Sequence, residues 1–257
     1  MITVKVNGST GTIILEQAAR CNAMNREMIE QLSQAFEDLR QEKKVRGVVL
    51  TGAGVHFCVG LDLKELHQTS GGEDALPQWH RDAQSLKSLL EQMLQFPKPI
   101  IAAVDGPAMA SGLALVLASD LVVASHRATF SITAPRVGLV SGLVAPLLVF
   151  RGGGSLASRM LLGGDELTAP EAKQLGLVHR VVDNDQIWVR ASNWIDAISA
   201  SAAESLQLTK RLLNEMIGEQ LSTLLTSGAA AMASSLTTEA AAEGLQAFTE
   251  KRPPKFP

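Results

Sequence analysis

The clearest chemical signal in the chain is the segment Asp105-Gly106-Pro107-Ala108-Met109-Ala110-Ser111-Gly112-Leu113-Ala114-Leu115. It follows the apolar run Ile100-Ile101-Ala102-Ala103-Val104, and after Asp105 no charge appears until Asp120. A buried strand, a turn of tiny residues and an apolar helix turn backbone N–H groups toward a cavity. Such a helix start suits an oxygen on which negative charge develops. No carboxylate follows the small residues, so an acid or base must come from elsewhere or be missing. Cys21 and Cys58 lie far apart with no CxxC pair. That argues against a zinc site and a disulfide scaffold and fits a reducing cytosol.

The elements that must position this segment alternate between strand and helix. Residues 2–7 and 12–16 alternate around Asn7-Gly8-Ser9 and read as a hairpin. Met24, Met28, Leu32, Phe36 and Leu39 recur at helical spacing, with Asn25 as N-cap. Residues 45–51 form a buried strand ending at Gly52-Ala53-Gly54. Leu86, Leu89, Leu90, Met93 and Leu94 mark a second helix, closed by Phe96-Pro97-Lys98-Pro99. The strands 100–104 and 120–124 flank the small-residue turn and its helix. Thr168-Ala169-Pro170-Glu171 is a capping box, with Gly176 ending that helix. From about 184 onward the chain reads as helical, with Leu206, Thr209, Leu212, Leu213, Met216 and Ile217 as one apolar stripe. The class is α/β, with a soft boundary near 190 between a core (1–190) and a helical region (191–257).

The chain has 257 residues, 46% apolar, and a formal net charge of −3. That balance gives no reason to expect nucleic acid or an anionic membrane surface as partner. The N-terminus reads as a strand rather than a targeting segment, and no uncharged stretch is long and apolar enough to span a membrane. A cytoplasmic location is expected.

Four stretches resemble the crotonase (enoyl-CoA hydratase/isomerase) superfamily. Cys21-Asn22-Ala23-Met24 resembles the family's N-A-L/M turn. Phe57-Cys58-Val59-Gly60-Leu61-Asp62-Leu63-Lys64-Glu65-Leu66 resembles its F-C/S-A-G-x-D-L-x-E loop. Residues 100–120 resemble its long small-residue signature, and Phe248-Thr249-Glu250-Lys251-Arg252-Pro253-Pro254-Lys255-Phe256 is similar to its F-x-E-K-R-x-P-x-F ending. The resemblance implies a spiral of repeated ββα units with a C-terminal helical trimerisation region, assembled as a homotrimer or a hexamer of two trimers. It implies an acyl-CoA thioester, or an acyl-carrier-protein thioester, as ligand and no permanently bound cofactor. It also implies an enolate held by the backbone N–H groups of Val59 and Ser111. Gly60, Leu61, Asp62 and Gly112 then belong to the substrate loops, while Arg20, Phe248 and Lys251 approach the CoA moiety.

The same resemblance exposes a departure. The two positions that carry the hydratase glutamates are Ala114 and Ala134, and a third acid position used in other branches is Gly142. Losing a general acid or base costs a factor of roughly 10² to 10⁴, so ordinary hydration is not expected, and isomerisation or decarboxylation takes its place. A non-catalytic acyl-CoA-binding subunit is the alternative, and a thioester hydrolase with Ser111 as nucleophile the third reading. His67 and His80 read first as solvent-facing and second as donors into the pocket. Asp62 reads as a loop-fixing carboxylate, and Ser141 as a turn residue in place of the family's proline. Arg136 reads as a surface arginine or as a bidentate partner for a substrate carboxylate.

Overall fold

A computed structural model describes the chain except Glu73 and Glu219, together with the side chains of 215–218, so Met216 and Ile217 of the expected stripe lie outside the described side chains. The order is β1 (Ile2–Asn7), β2 (Thr10–Leu15), α1 (Arg26–Gln41), β3 (Gly47–Gly52), α2 (Leu63–Thr69), α3 (Ala75–Gln95) and β4 (Ile100–Val104). Next come β5 (Ala108–Met109), α4 (Ser111–Ala118), β6 (Leu121–Ser125), β7 (Thr129–Ser131) and α5 (Val144–Leu161), which is broken at Gly153. The chain continues through β8 (Leu167–Thr168), α6 (Ala169–Gln174), β9 (Arg180–Val182), α7 (Ile187–Ser199), α8 (Ala203–Gly218), α9 (Leu221–Ser235) and α10 (Glu239–Glu250).

The larger sheet has the order β1-β2-β3-β4-β6-β9; only the β1–β2 hairpin is antiparallel, and the inner strands are apolar on both faces, as buried parallel strands are. The smaller sheet is β5-β7-β8, extended by a parallel bridge between Cys58 and Ala108. Each turn of the chain therefore visits the large sheet, then the small one, then leaves through a helix. β4–β5–α4 is the plainest copy, and β3, Cys58 and α2 repeat it. This is the expected spiral of ββα units.

Local chemistry accounts for the element ends. Asn25 Oδ1 accepts the Met28 N–H and caps α1. Thr168 and Glu171 form the capping box of α6. Helix α3 starts about three turns before the first expected leucine at 86: Pro77 lies in its first turn, where an N–H has no intrahelical partner, and Trp79 and Ala83 extend the buried stripe upstream. Position 190 falls inside α7, which packs across β3, β4 and β6 and buries Val49, Ile101, Ala103 and Val123 under Ile187, Ala191 and Ile195. The stripe expected on α8 faces outward, since Leu212 and Leu213 are exposed, and among its described side chains Lys210 is the buried one instead. Its ammonium donates to Asp120 Oδ2 at 2.7 Å and to the Met93 carbonyl at 3.1 Å, which ties α8 to the core.

Candidate active site

The site is built where the two copies of the ββα unit run side by side. Parallel bridging of Cys58 with Ala108 aligns the loop 58–62 with the start of α4. The backbones touch: a Cβ added at Gly112 would stand 2.2 Å from the Cys58 carbonyl oxygen, so only glycine allows this approach. Ser111 is the first residue of α4, and its N–H has no acceptor among the described residues. The preceding Ala110 has φ 47° and ψ −123°, a strained backbone that aims the Ser111 amide away from the helix.

The facing donor, Val59 N–H, reaches the Cys21 carbonyl at 3.3 Å. That length is beyond the usual 2.9–3.0 Å, so the bond is readily exchanged for a better acceptor. Cys21 and Asn22 are both left-handed, at φ 53° and 55°. Fully buried Asn22 fixes them: its Oδ1 accepts the Gln17 N–H at 2.9 Å, and its Nδ2 donates to the carbonyls of Ala53 and His56 at 2.9 and 2.8 Å. One amide thus ties the 21–22 turn to the 53–57 loop that leads into Val59.

These groups open on a cavity of about 580 Å³. Val59, Leu61, Asp62, Ser111, Ala134, Arg136, Ser141, Arg20 and Phe248 line it. Leu66, Trp79, Val144, Met232 and Leu236 add an apolar wall to which α2, α3, α5 and α9 contribute. Asp62 Oδ1 caps α2 by accepting Lys64 N–H at 2.9 Å, and its Oδ2 meets Arg20 at 3.1 Å. Asp82, also on the wall, is held by Arg26 Nε and Nη2 at 2.7 and 2.8 Å. Every described acid on the wall is therefore ion-paired.

Other expected site positions stand behind or beside the wall. Ala114 is fully buried within α4, while Gly60 and Gly112 form the floor where the two loops meet. At Gly142 an added Cβ would lie 1.9 Å from the Gly228 carbonyl oxygen, so the backbone of α9 fills the space a third acid would need. His67 on α2 and His80 on α3 are outside the lining, which contains no histidine among the described residues. Lys251 caps the end of α10 at φ 56°, one turn beyond Phe248 and outside the lining. Ser111 Oγ has no hydrogen-bond partner among the described residues, and no described histidine lines the cavity that could serve as its base. No group of metal-ligating side chains occurs among the described residues.

Lys64, Trp79 and Asp82 were not among the expected lining residues. Both Trp79 and Asp82 lie on the part of α3 upstream of Leu86, where the expected stripe begins; the signal that could have found them is the spacing of Trp79, Ala83 and Leu86 along one helix face.

Known proteins share this architecture over the whole chain. The enoyl-CoA hydratase/isomerase family profile matches residues 5–257. The chain belongs to the enoyl-CoA hydratase/isomerase family. A Thermus thermophilus protein named "Putative enoyl-CoA hydratase" is 38% identical over 97% of this chain and 98% of its own. Enoyl-CoA hydratase EchA19 of Mycobacterium tuberculosis is 32% identical over 98% of this chain and 95% of its own. The crystal structure of an enoyl-CoA hydratase/isomerase from Xanthobacter autotrophicus Py2 superposes with a TM-score of 0.86 at 30% identity, covering 97% and 91% of the two chains. Enzymes of the enoyl-CoA hydratase/isomerase family act on acyl-CoA thioesters without a permanently bound cofactor. No described helix of this member is long and apolar enough to cross a membrane.

Proposed function

We propose that this member binds an acyl-CoA thioester with its carbonyl oxygen at the Ser111 N–H, joined by Val59 N–H as Cys21 yields it, and catalyses decarboxylation of a 2-carboxyacyl-CoA. The observation that carries the reading is the Ser111 N–H, without an acceptor among the described residues, beside a cavity whose described lining holds no histidine and only ion-paired carboxylates; by resemblance the family's acid and base positions fall on Ala114, Ala134 and Gly142. Hydration needs a group to deliver water, and isomerisation needs a base to remove a proton. Decarboxylation needs neither at its first step. The bond from C2 to the carboxylate carbon breaks, and its electron pair forms the enolate. CO2 departs neutral while the negative charge moves to the thioester oxygen. Water then protonates C2, and the hydroxide left behind combines with CO2 as bicarbonate. The charge arrives where a preorganised amide waits, which is worth roughly 3 kcal/mol per donor.

A second reading is a non-catalytic acyl-CoA-binding subunit, favoured by the bond that Val59 N–H makes to Cys21. In either case we place the protein in the cytoplasm as a homotrimer, or a hexamer of two trimers.

The test compares CO2 release from methylmalonyl-CoA with hydration of crotonyl-CoA. Wild type is expected to release CO2 and to hydrate crotonyl-CoA at a negligible rate. Ser111→Pro removes the N–H at a helix position that tolerates proline and should lower kcat by about 10²–10³-fold. Ser111→Ala keeps the N–H and should stay within a few-fold of wild type. Efficient crotonyl-CoA hydration, or equal turnover by Ser111→Pro, sinks the decarboxylase reading. Tight binding without turnover establishes the binding subunit, and a collapse of activity in Ser111→Ala revives the hydrolase.

A further inference from the structure

We infer that Arg136 is the specificity-determining residue of this site, recognising a carboxylate on the acyl group of the thioester; the inference rests on the acyl-CoA reading of the cavity. Five charged side chains line the wall among the described residues: Arg20, Asp62, Lys64, Asp82 and Arg136. Arg20 is engaged by Asp62, and Asp82 is neutralised by Arg26 from behind the wall. Arg136 has no carboxylate partner among the described residues, and the hydrogen bond its guanidinium makes is a long one, from Nη2 to the Gly164 carbonyl at 3.3 Å. Most of its five donors are thus uncommitted. Lys64, on the opposite side beside Asp62, is the other cation without a described partner.

The position of Arg136 matters as much as its freedom. It belongs to the 3-10 turn Ala134–Val137, which also supplies Ala134 to the cavity. A glutamate at 134 would both pair with this guanidinium and repel an anionic acyl group. Alanine removes that charge and leaves the arginine at the rim of a cavity whose wall is mostly apolar and whose two aspartates are already ion-paired. A carboxylate entering such an enclosure is strongly penalised unless it is paired, and a guanidinium can take both of its oxygens at once. Of the two lining cations without a carboxylate partner among the described residues, Arg136 is the one that can take both oxygens of a carboxylated acyl group.

Arg136 is exposed at the rim rather than enclosed. The reaction also moves charge away from the carboxylate, so a guanidinium there strengthens substrate binding more than it lowers the barrier. Arg136 is accordingly a substrate-binding residue, with its effect in KM.

The experiment uses methylmalonyl-CoA and isobutyryl-CoA, which differ by a carboxylate in place of a methyl group. Binding is followed by stopped-flow tryptophan fluorescence, since Trp79 lines the cavity, before turnover begins. Wild type is expected to bind methylmalonyl-CoA at least 10-fold more tightly. Arg136→Gln should remove that preference while leaving the isobutyryl-CoA Kd unchanged; its KM for methylmalonyl-CoA should rise 10-fold or more with kcat unchanged or raised. Arg136→Lys should restore part of the preference. The inference is overturned if wild type binds the two equally, if Arg136→Gln weakens both alike, or if Lys64→Gln and not Arg136→Gln abolishes the preference. Failure of wild type to bind either thioester overturns the underlying acyl-CoA reading instead. Preference without CO2 release keeps the specificity residue and removes only the decarboxylase assignment.

Discussion

The two cysteines show how far a single residue's chemistry is set by its place in the fold. Cys58 is fully buried beneath the junction of the two loops, and burial pushes its thiol up to about 12, against a smaller opposing effect of the Gly60 N–H. The thiolate is the reactive form, so Cys58 is inert at neutral pH. Cys21 is partly exposed and lines the cavity next to Arg20. Iodoacetamide at pH 8 should therefore alkylate one thiol per folded chain, mapping by mass spectrometry to Cys21. A saturating acyl-CoA should slow that labelling at least five-fold. Equal modification of Cys58, or labelling indifferent to the ligand, would contradict the position of Cys21 on the ligand's wall.

At the scale of elements, the C-terminal helices close the site through backbone contacts that no side chain advertises. Gly142 meets Gly228 of α9, and a Cβ at Gly138 would stand 2.3 Å from the Ala240 carbonyl oxygen of α10. The segment beyond α10 is pinned in turn by an ion pair. Glu243 receives Arg252 at 2.6 and 2.9 Å and the Lys255 N–H at 2.6 Å. The Arg252 guanidinium, helped by that amide, holds the Glu243 carboxyl near 2 instead of its ordinary 4.5. A depressed carboxyl stabilises the fold above its unfolded value, and that contribution is lost as pH falls through the folded one. The clamp should hold at pH 5 and above and release between about pH 4 and 2. Hydrogen exchange of the Lys255 amide should report its opening before the sheet unfolds. In Glu243→Gln the same amide should exchange quickly already at pH 7; protection persisting there would refute the clamp.

The elements that sequence makes legible are those with a local cause. Asn25, the Thr168–Glu171 box and the Gly8 hairpin each satisfy backbone groups within a few residues, so their spacing is visible along the chain. The strand–turn–helix around Ser111 is visible for the same reason. The small sheet is not, because β5, β7 and β8 have two or three residues each, too few for a period of two to appear. The outward face of α8 is misread because an apolar stripe does not say what it packs against, while Lys210 is buried only because Asp120 and two carbonyls await it. Within the site, the expectation that Ala114 and Ala134 stand where the family carries glutamates rests on resemblance alone. The filling of position 142 by α9 depends on a contact across 86 positions of chain, which no local pattern encodes.

For the whole molecule, the outward leucines point to assembly. On α8, Leu208, Leu212 and Leu213 are 58%, 56% and 59% exposed, and Leu224 on α9 is 48% exposed. Residues four apart share a helix face, so Leu208 and Leu212 form the centre of a patch that a lone chain would present to water, as interaction surfaces do. Meanwhile the cavity takes Met232, Leu236 and Phe248 from its own chain, so its wall does not wait for a neighbour. Assembly and ligand binding should accordingly separate. Light scattering on the wild type should give a mass of three chains or a multiple of three. The double substitution Leu208→Glu and Leu212→Glu should shift it to one, because desolvating two carboxylates in an apolar contact costs several kcal/mol. The monomer should still bind isobutyryl-CoA within 10-fold of wild type. An unchanged mass would place the interface elsewhere; a folded monomer that cannot bind the thioester would mean that the wall described for one chain depends on its neighbours after all.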